Sequence, residues 1–267
     1  MIAEGTGSQK NWLNRIARAG LISKGVVYLT LGALAFMSAY EIGEHLDANA
    51  DRKGAFSFIK EAPGGVWLLV LLSIGLVCYS LWRGIQAFTK RKKIKWNKRF
   101  QYLFSGLGYL SVALTAIRVL LHDSDKNGGS NNQWAAQLMT LKYGQWIVGG
   151  FAFFFAGIGL YQIWYGLSEK YKKHVQGLSY HSYSSVLLLS GKIGYVARGI
   201  VWLIIAYLLL MAALHDNGAK AGGSGQAFLF IENTPNGSFL LALVGIGFIA
   251  YGAFNFVRAR YESFQAD

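Results

Sequence analysis

Six stretches of this chain, residues 26–40, 66–81, 103–117, 146–161, 199–214 and 238–254, contain no Asp, Glu, Lys or Arg. Extended by their weakly polar flanks, all six approach the ~20 residues with which a helix crosses a ~30 Å hydrocarbon layer. A segment in lipid must close its own backbone hydrogen bonds, and the barrel-type alternation of apolar and polar residues is absent, which leaves helices. A soluble chain with 53% hydrophobic and 15% charged residues would interleave the two classes, and here they are segregated. The expected fold class is an all-α membrane protein with six transmembrane helices. Residues 1–20 are polar and basic with no apolar signal core, so the first stretch reads as a retained signal-anchor. Cys78 is the single cysteine and lies inside the second stretch, which excludes an intramolecular disulfide and a cysteine metal cluster.

One pattern recurs near the ends of three of these stretches: glycine, three residues, tyrosine, two residues, large aromatic. It reads Gly75, Tyr79, Trp82; then Gly157, Tyr161, Trp164; then Gly247, Tyr251, Phe254. Other landmarks keep the same register. Each odd helix begins with a polar residue and a glycine, Lys24-Gly25, Ser105-Gly106 and Arg198-Gly199, followed three positions later by Tyr28, Tyr109 or Trp202. Each following connection holds an apolar cluster at i, i+1, i+3, i+4: residues 55, 56, 58, 59; 135, 136, 138, 139; and 227, 228, 230, 231. That spacing is one stripe of a short amphipathic helix, expected to lie in the outer interface. Each even helix starts at a glycine two residues before an aromatic: Gly65 and Trp67, Gly144 and Trp146, Gly237 and Phe239.

The chain is therefore one hairpin used three times. The repeats are expected over residues 12–90, 96–170 and 187–262, joined by linkers at 91–95 and 171–186. Two crossings per unit give all three the same orientation, which predicts a pseudo-threefold axis along the membrane normal.

The charge is divided by side. The segments up to Lys24, 83–101, 167–198 and after Phe254 carry 19 of the 26 basic residues and four of the 13 acids. The opposite connections carry six basics and nine acids, so the sides stand at about +15 and −3. Basic residues accumulate on the cytoplasmic side, which predicts cytoplasmic termini for both ends. The run from Lys90 to Arg99 reads as a topology signal that also holds anionic lipid, at roughly 1 kcal/mol per charge near the surface, rather than as a nucleic-acid site. Trp67 and Trp146 at one interface, and Trp12, Trp82, Trp96 and Trp164 at the other, fit an aromatic belt.

With its basic-glycine helix starts, short amphipathic segments and Gly-x3-Tyr-x2-aromatic helix ends, the chain resembles bacterial membrane proteins carrying three copies of domain-of-unknown-function family 1206. The resemblance covers roughly residues 15–260, and departs from the family in the second copy, where Ser105 replaces a basic residue. It implies a six-helix protein of the inner membrane. The family carries no established activity, so no catalytic residue follows from it.

Two constellations could carry chemistry. Gly75, Gly157 and Gly247 lie one turn before Tyr79, Tyr161 and Tyr251, so each pair shares a face: a close helix approach beside a phenol that needs a partner. The plainer reading is hairpin closure; the sharper one is a ring of hydroxyls around a central path. At the opposite end, His122-Asp123 and His215-Asp216 are equivalent, and Glu41 takes the same place in the first copy. Two imidazoles and a carboxylate are metal-ligand types, so His122 and His215 are candidates for metal or haem, against polar capping of helix ends. Arg118, one turn before His122, has no counterpart in the other copies and is expected to bridge to Glu41, Glu44 or Asp123 or to snorkel outward.

No phosphate-binding loop, nucleophile elbow or zinc-protease signature is present, and no mid-span carboxylate. The expected function is non-enzymatic: binding of membrane lipid or of a membrane partner, with no cofactor. The alternative is a channel or transporter for a small solute or ion along the pseudo-threefold axis. An axis filled by Leu, Phe and Val would speak against that alternative.

Overall fold

The computed structural model describes residues 7–40, 52–88, 96–121, 141, 143–175, 184–215 and 224–262. Among the described residues it is all-helical, with eight α-helices and one short 3-10 helix. These are α1 (Gly7–Ala39), α2 (Arg52–Glu61), α3 (Gly65–Phe88), α4 (Trp96–Leu121), α5 (Gly144–Leu167), α6 (Ser184–Leu214), α7 (Ser224–Glu232) and α8 (Gly237–Tyr261). The 3-10 turn is Lys170–His174. Six helices are long and apolar enough to cross a membrane: α1, α3, α4, α5, α6 and α8. This is a multi-pass membrane protein.

The even helices begin at the expected glycines, through the same turn in all three units. Gly65 N–H donates to the Ala62 carbonyl (2.7 Å), Gly144 N–H to Leu141 (2.8 Å) and Gly237 N–H to Thr234 (2.8 Å). In the first and third units a proline is followed by a left-handed residue, Gly64 (φ 73°) and Asn236 (φ 61°), residue types that tolerate that conformation. The turn folds each short helix back against the bundle. Ala55, Phe56 and Ile59 of α2, and Ala227, Phe228 and Ile231 of α7, are buried in the main core, while Phe58 and Phe230 face outward. Three positions of each amphipathic stripe therefore bury against the bundle and one faces away. The stripe at 135–139 lies outside the described residues.

The spans pack in a definite order. The first helix of each unit lies chiefly along the second helix of the preceding one: α4 along α3, α6 along α5, and α1 along α8. Glycine makes the closest of these approaches possible. A β-carbon on Gly32 would stand 2.6 Å from the Gly245 carbonyl oxygen, and one on Gly159 would stand 2.9 Å from that of Gly199. Within the first and third hairpins, α1 also packs on α3 and α6 on α8. In the second hairpin α4 and α5 scarcely pack on one another, and meet at the edge-on ring pair Phe104–Phe154 (4.8 Å). One apolar core nevertheless draws on all six spans, with Leu31, Leu76, Ala113, Val148, Leu209 and Phe248 among its members.

Candidate functional site

The repeated tyrosines and the basic helix starts, separate features in the sequence, come together at one level of the bundle. Tyr79 and Tyr251 are each 1% exposed. The Tyr251 hydroxyl accepts a hydrogen bond from Arg198, across the third hairpin from α6 to α8. The Arg198 guanidinium lies 4.4 Å from the Tyr251 ring and 4.9 Å from that of Tyr28 on α1. Lys24, itself 5% exposed, places Nζ 5.0 Å from the same Tyr251 ring and 5.2 Å from Tyr109 on α4. On α3, Arg83 Nε and Nη2 donate to the Tyr79 hydroxyl (3.1 and 2.8 Å), and its third nitrogen donates to Gln86 (3.1 Å). The rings meet edge to face in two groups: Tyr251 with Tyr28 at 4.8 Å and with Tyr195 at 5.3 Å, and Tyr79 with Tyr109 at 4.7 Å. The acid at this end that meets an arginine is Glu262, held in two hydrogen bonds by Arg258 (2.8 and 3.0 Å).

Small residues seat the two buried tyrosines. The Gly20 position lies directly against the Tyr79 ring, and Gly194 against Tyr251. Gly75 lies against Ser23, and Gly247 against Ala197, so each hairpin closes through two small-residue contacts one turn apart. Gly20 and Gly194 are packing positions that sequence reasoning missed. Their signal was available: both stand four residues before the basic helix start, as Gly-x3-Lys/Arg-Gly.

The second copy breaks this scheme. Gln101 stands at the position of Gly20 and Gly194, Phe104 at that of Ser23 and Ala197, and Ser105 at that of Lys24 and Arg198. A phenyl group cannot enter the groove that a serine or alanine fills, so α4 and α5 stay apart. Gly157 accordingly faces open space, and Tyr161 is 48% exposed, contacting Trp164 and Tyr165 on its own helix. The expectation that all three Gly–Tyr pairs serve a close helix approach is corrected here for the second pair. Trp82 is a further correction. It is 8% exposed and stacks beneath Arg83 (4.8 Å) rather than joining a belt, because it shares the inward face with Tyr79. Trp67, Trp96 and Trp146 are exposed at helix starts as expected of a belt.

The candidate polar cluster at the opposite end is only partly described. Arg118 is exposed on α4; His215 is exposed at the end of α6, with Nδ1 2.9 Å from the Met211 carbonyl oxygen. Glu41, His122, Asp123 and Asp216 lie outside the described residues, as does most of the basic run from Lys90.

Beyond the membrane span of α5, Tyr171 closes the tyrosine end. It is 1% exposed, stacks on Tyr195 (5.8 Å) and donates its hydroxyl hydrogen to the Leu188 carbonyl (2.9 Å). Burial first, and the Glu169 carboxylate second, push its phenol up to about 12. Glu169 pairs with Lys172 and with Lys192 (3.7 Å), and the hydrogen bond from Lys172 holds its carboxyl below the ordinary range.

The sequence profile of the domain of unknown function DUF1206 matches this chain three times, at residues 19–90, 100–169 and 193–262. The chain belongs to the DUF1206 family. It is similar to the uncharacterized protein YxxB of Bacillus subtilis (strain 168), with 26% identity over 261 residues, 95% of this chain and 92% of the relative. No solved structure matches it significantly. In DUF1206 terms each match spans one hairpin, and the departures at Gln101, Phe104 and Ser105 all fall in the second.

Proposed function

We propose that this protein is a non-enzymatic lipid-binding protein of the bacterial cytoplasmic membrane, with both termini in the cytoplasm. In this reading the three hairpins surround a pseudo-threefold axis, and an acyl chain lies in the opening between α4 and α5. The observation that carries it is the contrast between hairpins. Two are closed by small-residue contacts, while the second is wedged apart by Phe104 against Phe154 and leaves Gly157 and Tyr161 facing outward. The cyclic packing of each unit on the preceding one supports the threefold arrangement. The charge division supports the orientation.

The axial channel remains the second reading. The residues that would line it, among them Leu31, Leu76, Ala116, Leu209 and Phe248, belong to one buried apolar core, which favours binding over conduction. Of the two histidines in the metal or haem reading, His215 is exposed with Nδ1 beside the Met211 carbonyl, and His122 lies outside the described residues.

Native mass spectrometry of the full chain released from membranes tests the proposal. Phospholipid should stay on the wild type and be lost from Gly157→Leu, whose side chain enters open space and leaves the bundle contacts alone. Equal retention by both proteins would place the lipid elsewhere and end this reading. Solute flux through the wild type in proteoliposomes would move the second reading ahead of it.

A further inference from the structure

The lysine at the centre of the tyrosine cluster has more charge than its surroundings answer. Lys24 is 5% exposed, and its neighbours are the Tyr109 and Tyr251 rings. Among the described residues its ammonium group has no hydrogen-bond acceptor and no carboxylate. Arg198 shares the Tyr251 ring with it, so two cations bear on one phenol. Like charges side by side in a poorly solvated site repel, and ring contacts offset only part of the cost of their burial. The acids nearby are committed: Glu262 to Arg258, and Glu169 to Lys172 and Lys192. Hydrogen-bond donors are also to spare. The Tyr28 and Tyr109 phenols make ring contacts but no hydrogen bond among the described residues.

Depth narrows the choice of ligand. Lys24 and Arg198 stand at the border of the apolar stretches that begin at residues 26 and 199. Sixteen helical residues span about 24 Å, so this border sits close to one face of a ~30 Å hydrocarbon layer, where lipid phosphates lie. Lysine at that depth ordinarily extends to water. This one turns inward to rings on α4 and α8, the former being one wall of the opening beside Tyr161.

We propose that Lys24, Arg198 and the Tyr28 and Tyr109 hydroxyls form a binding site for a phosphate-class anion. The anion is either the headgroup of an anionic phospholipid entering between α4 and α5, or free phosphate. The lipid arm rests on the function proposed above; the anion site itself does not.

The test titrates the full chain in neutral detergent with short-chain phosphatidylglycerol, short-chain phosphatidylcholine and inorganic phosphate, reading the shift in thermal unfolding. Phosphatidylglycerol should stabilise the wild type where phosphatidylcholine does not. Lys24→Gln should weaken that response by about tenfold, as expected for loss of one charge-assisted contact, while Arg198→Lys keeps most of it. Tyr109→Phe keeps the ring and removes one donor, and should weaken binding by about threefold, so the site stays testable if Lys24→Gln does not fold. Stabilisation by phosphate alone would identify a free anion as the ligand, and stabilisation by phosphatidylglycerol alone a lipid; both support the site. Equal responses to the two lipids with none to phosphate, or unchanged responses in both Lys24→Gln and Tyr109→Phe, would overturn it. Those outcomes leave the acyl-chain proposal standing if Gly157→Leu still sheds lipid.

Discussion

Tyr251 and Tyr161 hold the same place in the repeat, yet removal of the hydroxyl should be felt at only one of them. Tyr251→Phe takes away the acceptor of a partly buried arginine and should cost about 1–3 kcal/mol in detergent unfolding. Tyr79→Phe should cost somewhat less, since Arg83 keeps Gln86. Tyr161→Phe, half exposed and without a hydrogen bond among the described residues, should change stability by less than about 0.5 kcal/mol. Equal costs at all three positions would refute the asymmetry. Tyr171 adds a pH dependence. Its folded phenol titrates at about 12, above the ~10 of an unfolded tyrosine, so the proton is held more tightly in the folded state. The resulting stability is complete below pH ~10 and is lost as the pH rises through the folded value. Tyr171→Phe should therefore lose less stability than the wild type over that alkaline range, as read by unfolding midpoints.

Among the helices, closure of a hairpin depends on two small residues one turn apart. Ser23→Phe would bring the second unit's wedge into the first and should cost upwards of about 2 kcal/mol, because the groove at Gly75 has no room for a ring. Phe104→Ser removes the wedge from an already open hairpin and should cost markedly less, as measured by the same unfolding assay. The turns make a separate prediction. Gly64→Ala must hold a left-handed backbone and should cost about 1 kcal/mol, whereas Asn236→Gly should be neutral or slightly stabilising.

Across the whole molecule, the division of charge sets the expected orientation. Reporters fused to the two termini should both be active on the cytoplasmic side, and opposite sides would contradict an even number of crossings. The second hairpin gives the bundle its asymmetry: α4 and α5 are the least buried of the six spans, and much of their apolar surface is exposed. Gly157→Leu should fill part of that surface without loss of fold, and its lipid content is the readout.

Much of this could be read from residues alone, for a definite reason. The six spans follow from long uncharged stretches, because lipid removes every alternative to a closed backbone. The helix starts at Gly65, Gly144 and Gly237 follow from a turn signal repeated at fixed spacing. Family membership follows from the same landmarks, three times over. What only the tertiary structure decided is which repeated residues meet. Tyr251 reaches Arg198 within its hairpin and Lys24 from the neighbouring unit, and no spacing along one helix encodes a contact between two. The sequence presents Tyr79, Tyr161 and Tyr251 as equals. Packing separates them, because a tyrosine is buried only where the facing helix can come close. That distance is set by Gly20 and Gly194 in the first and third hairpins, and by Phe104 in the second.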